Sequence, residues 1–135
     1  MAVIGLDTNV LVRYLVQDDP AQAEIANSIM ESEISLDNKG FVSCVMLCEV
    51  VWVLKRAYKQ PKARLLEVIR LMFETDSIEI ERRAEVWRAY RAFAQGDADF
   101  SDYLIGEVAH SHGVEKVYTF DTSCADSGFF QVLTS

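Results

Sequence analysis

Positive charge is what this 135-residue chain has least of: 13 Lys and Arg stand against 21 Asp and Glu, for a net charge of −8. That balance excludes a non-specific nucleic-acid coat protein, because such binders neutralise phosphates with a surplus of cations. It leaves room for a nucleic-acid enzyme in which cations bridge the repulsion. Histidine is almost missing as well, and His110 and His112 both fall in the last turn of one helical stretch. A histidine metal site or a Ser-His-Asp relay therefore has no support, and the pair reads as favourable company for a helix C-terminus. The three cysteines, Cys44, Cys48 and Cys124, form neither a CxxC pair nor an even disulfide set nor a zinc spacing, so they read as reduced structural thiols. With 2 prolines and 6 glycines there is no linker composition, and no repeat or low-complexity tract is visible. Apolar runs are short, being interrupted by Asp7, Arg13 or Glu49, and no basic segment leads into an apolar one. A cytoplasmic protein without membrane contact is the expectation.

What is present is a half-apolar chain (50% hydrophobic), long enough for one real core and too short for two ordinary ones. One domain over residues 1–135 is expected. Ala2–Leu6 reads as a buried strand ending at Asp7-Thr8-Asn9, after which Val10, Leu11, Tyr14 and Leu15 recur at helical spacing. Pro20 starts a second helix through Ile25, Ile29 and Met30, and Asn38-Lys39-Gly40 reads as a turn. Gly40–Ser43 is a second strand, and Cys44 to about Tyr58 a helix apolar on nearly every side. Glu49 is the charged group in its first turns, flanked by Val45, Trp52 and Val53, so it is expected to face a cation, donors or water.

Ala63–Phe73 is a further helix, Ser77–Ile80 a weak strand, and Arg82–Ala94 a helix whose Arg83, Arg88 and Arg91 read as solubilising. In the stretch Gly96–Gly113 an acidic start runs into a helix on which Leu104, Ile105, Val108 and His112 share the face expected to pack inward, with Gly113 as its stop. Lys116–Phe120 reads as a strand ending at Asp121, and Phe130–Leu133 as the last strand.

Short strands alternating with helices, without hairpin signals, predict an α/β fold: a short, mostly parallel sheet with helices on both faces. Ligands of such sheets lie beyond the carboxyl ends of the strands. Asp7 and Asp121 each directly follow a strand, Glu49 lies in the helix entered from the second strand, and Asp102 lies in the first turn of the helix preceding the Asp121 strand. All four are expected on one sheet edge. For Asp7, and for Asp99 with Asp102, helix capping is an equally good reading taken singly. Together, carboxylates without matching Arg or Lys call for a divalent cation, and oxygen ligands without His or Cys select a hard one, Mg²⁺ or Mn²⁺. Phosphodiester hydrolysis is the usual chemistry of such a site.

The segments DTNVLVRYL, CEVVWVL, DFSDYLIGEVAHSHG and the terminal TFD resemble the acidic motifs of a PIN domain, specifically the VapC-like toxin branch of bacterial toxin–antitoxin pairs. The resemblance implies the PIN-like three-layer sandwich and a Mg²⁺-dependent ribonuclease, often homodimeric, held inactive by an antitoxin protein. It makes Asp7, Glu49, Asp102 and Asp121 the metal-binding and catalytic acids and Asp99 an auxiliary one. Thr8, Asn9 and Ser43 are then candidates to orient carboxylates or water, or simply helix caps. Lys55, Arg56 and Lys59, part of a basic cluster reaching Arg64, are candidates to attract RNA despite the net negative charge, or a solvated helix end. The rivals are a PIN-like RNA- or protein-binding module without activity and a Mg²⁺-dependent phosphatase. The second is disfavoured because Asp7-Thr8-Asn9 lacks the second Asp of a DxD motif.

Overall fold

The five strands among the described residues all pair in parallel, in the order β1-β2-β3 within one sheet and β4-β5 within another. The computed structural model describes residues 2–134 and divides into two compact units, the first ending at Glu81 and the second beginning at Arg82. Among the described residues no helix is long and apolar enough to cross a membrane.

The first unit runs β1 (Ala2–Gly5), α1 (Thr8–Val16), α2 (Pro20–Ser28), a π-helical turn (Ile29–Glu33), β2 (Asn38–Val42), α3 (Cys44–Arg56), α4 (Lys62–Glu74) and β3 (Ile78–Ile80). Strand β2 is central, pairing Ile4 with Gly40 on one side and Gly40 with Ile78 on the other. The expected turn at Asn38-Lys39-Gly40 is therefore the start of β2. Gly40 sits where three side chains converge: a Cβ would meet Leu6 Cδ1 at 2.9 Å and Ile34 and Ile78 Cδ1 at 3.2 Å, so those side-chain ends would have to shift. Helix α1 packs on α3 and α2 through an interior that includes Leu11, Val12, Leu47, Val50, Leu54, Leu65 and Ile69, each essentially inaccessible. Each such side chain contributes about 1.5–3 kcal/mol by leaving water. A polar clasp adds to this. Arg13 donates to the Tyr58 hydroxyl at 2.8 Å and to Asp18 at 3.2 Å, while Tyr58 donates to Asp18 Oδ2 at 2.8 Å. The Tyr58 hydrogen bond, and then the Arg13 charge, hold the Asp18 carboxyl below its usual range.

The second unit runs α5 (Arg83–Gln95), α6 (Phe100–Ser111), β4 (Val117–Thr119), a 3₁₀ turn (Thr122–Cys124) and β5 (Phe130–Val132). Helices α5 and α6 pack extensively, with Phe93 and Phe100 edge to face at 6.0 Å between centroids. The buried face of α6 is Phe100, Tyr103, Leu104 and Glu107, the i, i+3, i+4, i+7 set; Ile105 is 51% exposed and His112 is on the surface. The inward face thus differs from the expected Leu104, Ile105, Val108 and His112, because the two aromatics at the helix start turn it toward α5. Arg88, expected only to solubilise, donates from Nε to the buried Glu107 at 2.8 Å. Gly113 ends α6 at φ +81°, His110 stacks on Phe129 at 4.8 Å, and His112 lies 3.1 Å from Arg82.

Candidate metal centre

In the first unit the three parallel strands deliver their exits to one sheet edge. Asp7 leaves β1 as the N-cap of α1, its Oδ1 accepting the Thr8 N–H at 2.7 Å. Ser43 leaves β2 as the N-cap of α3, its Oγ accepting the Met46 N–H at 3.1 Å. Glu81 leaves β3 and accepts the Cys44 N–H at 2.9 Å, a second acceptor at the start of α3. The capping reading of Asp7 and Ser43 is therefore correct, and it leaves the second carboxylate oxygen of Asp7 outside that bond. Asp7 and Asn9 are exposed, and Thr8 is buried. Glu49 lies on an outward stripe of α3, between Val45 at 70% and Trp52 at 60% exposure. Glu49 therefore faces water, one of the three surroundings expected for it, because Val45 and Trp52 on the same stripe are themselves in solvent. Lys55, Arg56 and Lys59 are exposed at the end of the same helix and just past it, Lys59 with φ +53°.

In the second unit Asp99 and Asp102 form a capping box at the start of α6, in which Asp102 Oδ2 accepts the Asp99 N–H at 3.3 Å. Asp121 leaves β4 and starts the 3₁₀ turn, its Oδ1 accepting the Ser123 N–H at 2.9 Å and hydroxyl at 2.6 Å. Those hydrogen bonds, the hydroxyl's first, hold the Asp121 carboxyl below its usual range. Ligating atoms of Asp102, Asp121 and Cys124 lie within 4.8 Å of one another. Burial first, and then the charges of Asp102 and Asp121, push the Cys124 thiol up to about 11. It is therefore a protonated, fully buried neighbour of the two carboxylates at neutral pH.

The donor set fits a hard divalent cation: a pair of carboxylates, one oriented by a cap and the other by a serine, with no imidazole or thiolate to compete. Asp99 serves the cap and stands outside the trio. Sequence reasoning reads Cys124 only as a structural thiol and does not single out Ser123, although the Asp-x-Ser pattern after a strand is a turn signal that points to Ser123. Nor was Glu107, which the i+4 spacing from Tyr103 places on the buried face of α6. A third feature also escapes the sequence: Gly96 exists to admit Tyr103, because a Cβ there would overlap the Tyr103 hydroxyl, which accepts the Ala98 N–H at 3.2 Å.

Comparison with known proteins identifies the family. The family model described as the PIN domain matches residues 4–129. A VapC ribonuclease from Aquifex aeolicus (strain VF5) is 23% identical over 124 residues, covering 92% of this chain and 91% of that protein. The parallel α/β strands, the acids at their exits and a family match running through nearly the whole chain lead to one conclusion: the chain belongs to the PIN domain family and is VapC-like.

Proposed function

We propose that the protein is a Mg²⁺-dependent endoribonuclease, with Mn²⁺ able to substitute, and the toxin of a toxin–antitoxin pair. The observation that carries this reading is the approach of the Asp102 and Asp121 carboxylates within one 4.8 Å group. Two like charges so close are stabilised by a bound cation. In this reading the chain is a single PIN-like domain over residues 1–135, a reading the family match through residues 4–129 supports, and Asp7, Glu49, Asp102 and Asp121 are the metal-holding and catalytic acids, with Asp99 auxiliary.

A divalent cation held by these acids would polarise the phosphoryl group, stabilise the leaving oxygen and lower the pKa of the attacking water. The chain's own contribution is positioning. Ser123 fixes one oxygen of Asp121, the Asp99 N–H fixes one oxygen of Asp102, and the Thr8 N–H fixes one oxygen of Asp7. Asn9 and Ser43 extend that support in the proposal, and Lys55, Arg56 and Lys59 supply local positive charge for RNA to a chain of net charge −8. The ribonuclease name of the Aquifex relative supports an RNA substrate. An antitoxin, a homodimer and a cytoplasmic location complete the reading.

The test is cleavage of a mixed RNA pool by purified protein in Mg²⁺, Mn²⁺ or EDTA, with p-nitrophenyl phosphate as a parallel substrate. Metal-dependent internal cleavage of RNA with no turnover of the phosphate ester is expected. RNA binding without cleavage in any metal would favour a binding module, and ester turnover alone a phosphatase.

A further inference from the structure

The second unit also contains a cavity of about 320 Å³ whose wall includes Gln95, Tyr103, Glu107, Asp126 and Phe129. None of these belongs to the proposed catalytic set. The charged residues on the wall are both acidic, Glu107 and Asp126, and no Lys or Arg lines it. Glu107 is only 7% exposed, an uncommon place for a glutamate. Arg88 holds its Oε1 from outside the cavity lining. Asp126 has no ion-pair partner among the described residues. Burial first, and then Asp126 and Asp97, push the Tyr103 hydroxyl up, so the negative charge around the cavity is felt at its wall while the phenol stays neutral. Tyr103 and Phe129 give the wall its aromatic part, and Ala92, Gln95, Gly96, Ser127 and Gly128 complete it without a further charge.

We propose that this cavity is a binding site for an organic nitrogen cation, an alkylammonium or alkylguanidinium group seated between Glu107 and Asp126 with its carbon stem against Tyr103 and Phe129. Charge-assisted hydrogen bonds to carboxylates are the strong class, and aromatic faces add cation–π attraction. The volume lies at the small end of ligand sites, right for an amine or a single side chain. A phosphate-bearing ligand is repelled by both acids. A divalent metal is poorly served, because among the described residues Glu107 and Asp126 belong to no trio of converging ligating atoms. The cation has two sources, a free polyamine or the Arg or Lys side chain of a peptide.

The experiment is an amide NMR titration of the whole protein with n-butylguanidinium, spermidine and Nα-acetyl-arginine amide, with neutral n-butylurea as control, all at fixed ionic strength. The cations should give saturable shifts at Tyr103, Gly128 and Phe129, and butylurea none. Asp126→Asn, an exposed change that leaves the core alone, should weaken the Kd about tenfold, and Glu107→Gln should do the same if it folds. Saturation by spermidine but not the arginine amide identifies a polyamine site, and the reverse a peptide side-chain site. The proposal is overturned by the absence of saturable shifts, by equal shifts from butylurea, or by an unchanged Kd in Asp126→Asn. Displacement of the cation by Mg²⁺ at matched ionic strength, with shifts centred on Asp102 and Asp121, would also overturn it. No RNA and no cleavage enter the measurement, so its failure is separate from failure of the nuclease reading.

Discussion

The strand exits of the two units use acids differently. In the first, Asp7 and Glu81 each accept a helix-starting N–H, and Glu49 stands on an outward face of α3. In the second, Asp102 and Asp121 also serve turns and caps, yet their carboxylates come together beside a protonated thiol. Capping and ligation are thus compatible, because a carboxylate has two oxygens and a cap occupies one. A carboxylate that caps alone should be replaceable by any good cap. One that shares a cation should not.

The largest expected effect follows from that contrast. Asp121→Asn and Asp102→Asn should each lower metal-dependent RNA cleavage by roughly 100-fold or more, since removing even a residue that supports a ligand loses about 10–100-fold. Circular dichroism should show the fold retained, with the carboxylate repulsion relieved. Asp99→Asn should be milder; if it proves the more damaging, Asp102 is the cap and Asp99 the ligand.

Next in size is Gly96→Ala, a change that touches no acid. It drives a methyl onto the Tyr103 hydroxyl and should destabilise the protein by about 1–3 kcal/mol in urea unfolding. An unchanged midpoint would mean that Tyr103 moves aside freely.

At Asp7 the comparison can be sharpened by splitting its roles. Asp7→Ala should lose about 1 kcal/mol of stability with the cap, whereas Asp7→Asn keeps the cap and should show its loss in cleavage alone. Equal stability of the two variants would remove the capping role.

The Asp18 clasp gives a pH dependence with a definite sign. Its carboxyl is lowered in the folded protein, chiefly by Tyr58, so its contribution is present above the unfolded carboxylate range and is lost as pH falls through the lowered folded value. Tyr58→Phe should therefore flatten the acid limb of a stability-against-pH curve between those two points. Identical limbs would show that the clasp adds nothing. A smaller effect is expected from charge reversal at Lys55 and Lys59: weaker RNA binding and a shallower salt dependence, against no change if these residues only solvate the helix end.

Much of this was legible in the sequence because it rests on local rules. The strand-to-acid pattern places Asp7 and Asp121 just past strand ends, and helical spacing locates α3 to α6 within a few residues. Long-range packing is where local rules fail. Asn38-Lys39-Gly40 has turn composition, but Gly40 is small because Leu6, Ile34 and Ile78 converge on it in a central strand. Arg88 looked like a solubilising residue because its partner, Glu107, lies on another helix. The α6 face was misassigned because Phe100 and Tyr103, before and beside Leu104, find α5 and the Gly96 gap, and neither partner is visible from α6 alone. Cys124 reads from sequence only as a structural thiol for the same reason: only folding brings it beside Asp102.

The central claim, that these acids hold a divalent metal, is tested most directly by calorimetric titration of Mn²⁺ and Mg²⁺ into wild type and the Asp102→Asn/Asp121→Asn double variant, with melting curves on the same samples. The account predicts saturable binding to wild type that is abolished in the double variant. It also predicts stabilisation of about 2.7 kcal/mol when free metal reaches a hundred times Kd, since metal binds only the folded site. Melting curves unmoved by millimolar Mg²⁺ or Mn²⁺, or undiminished binding by the double variant, would contradict it.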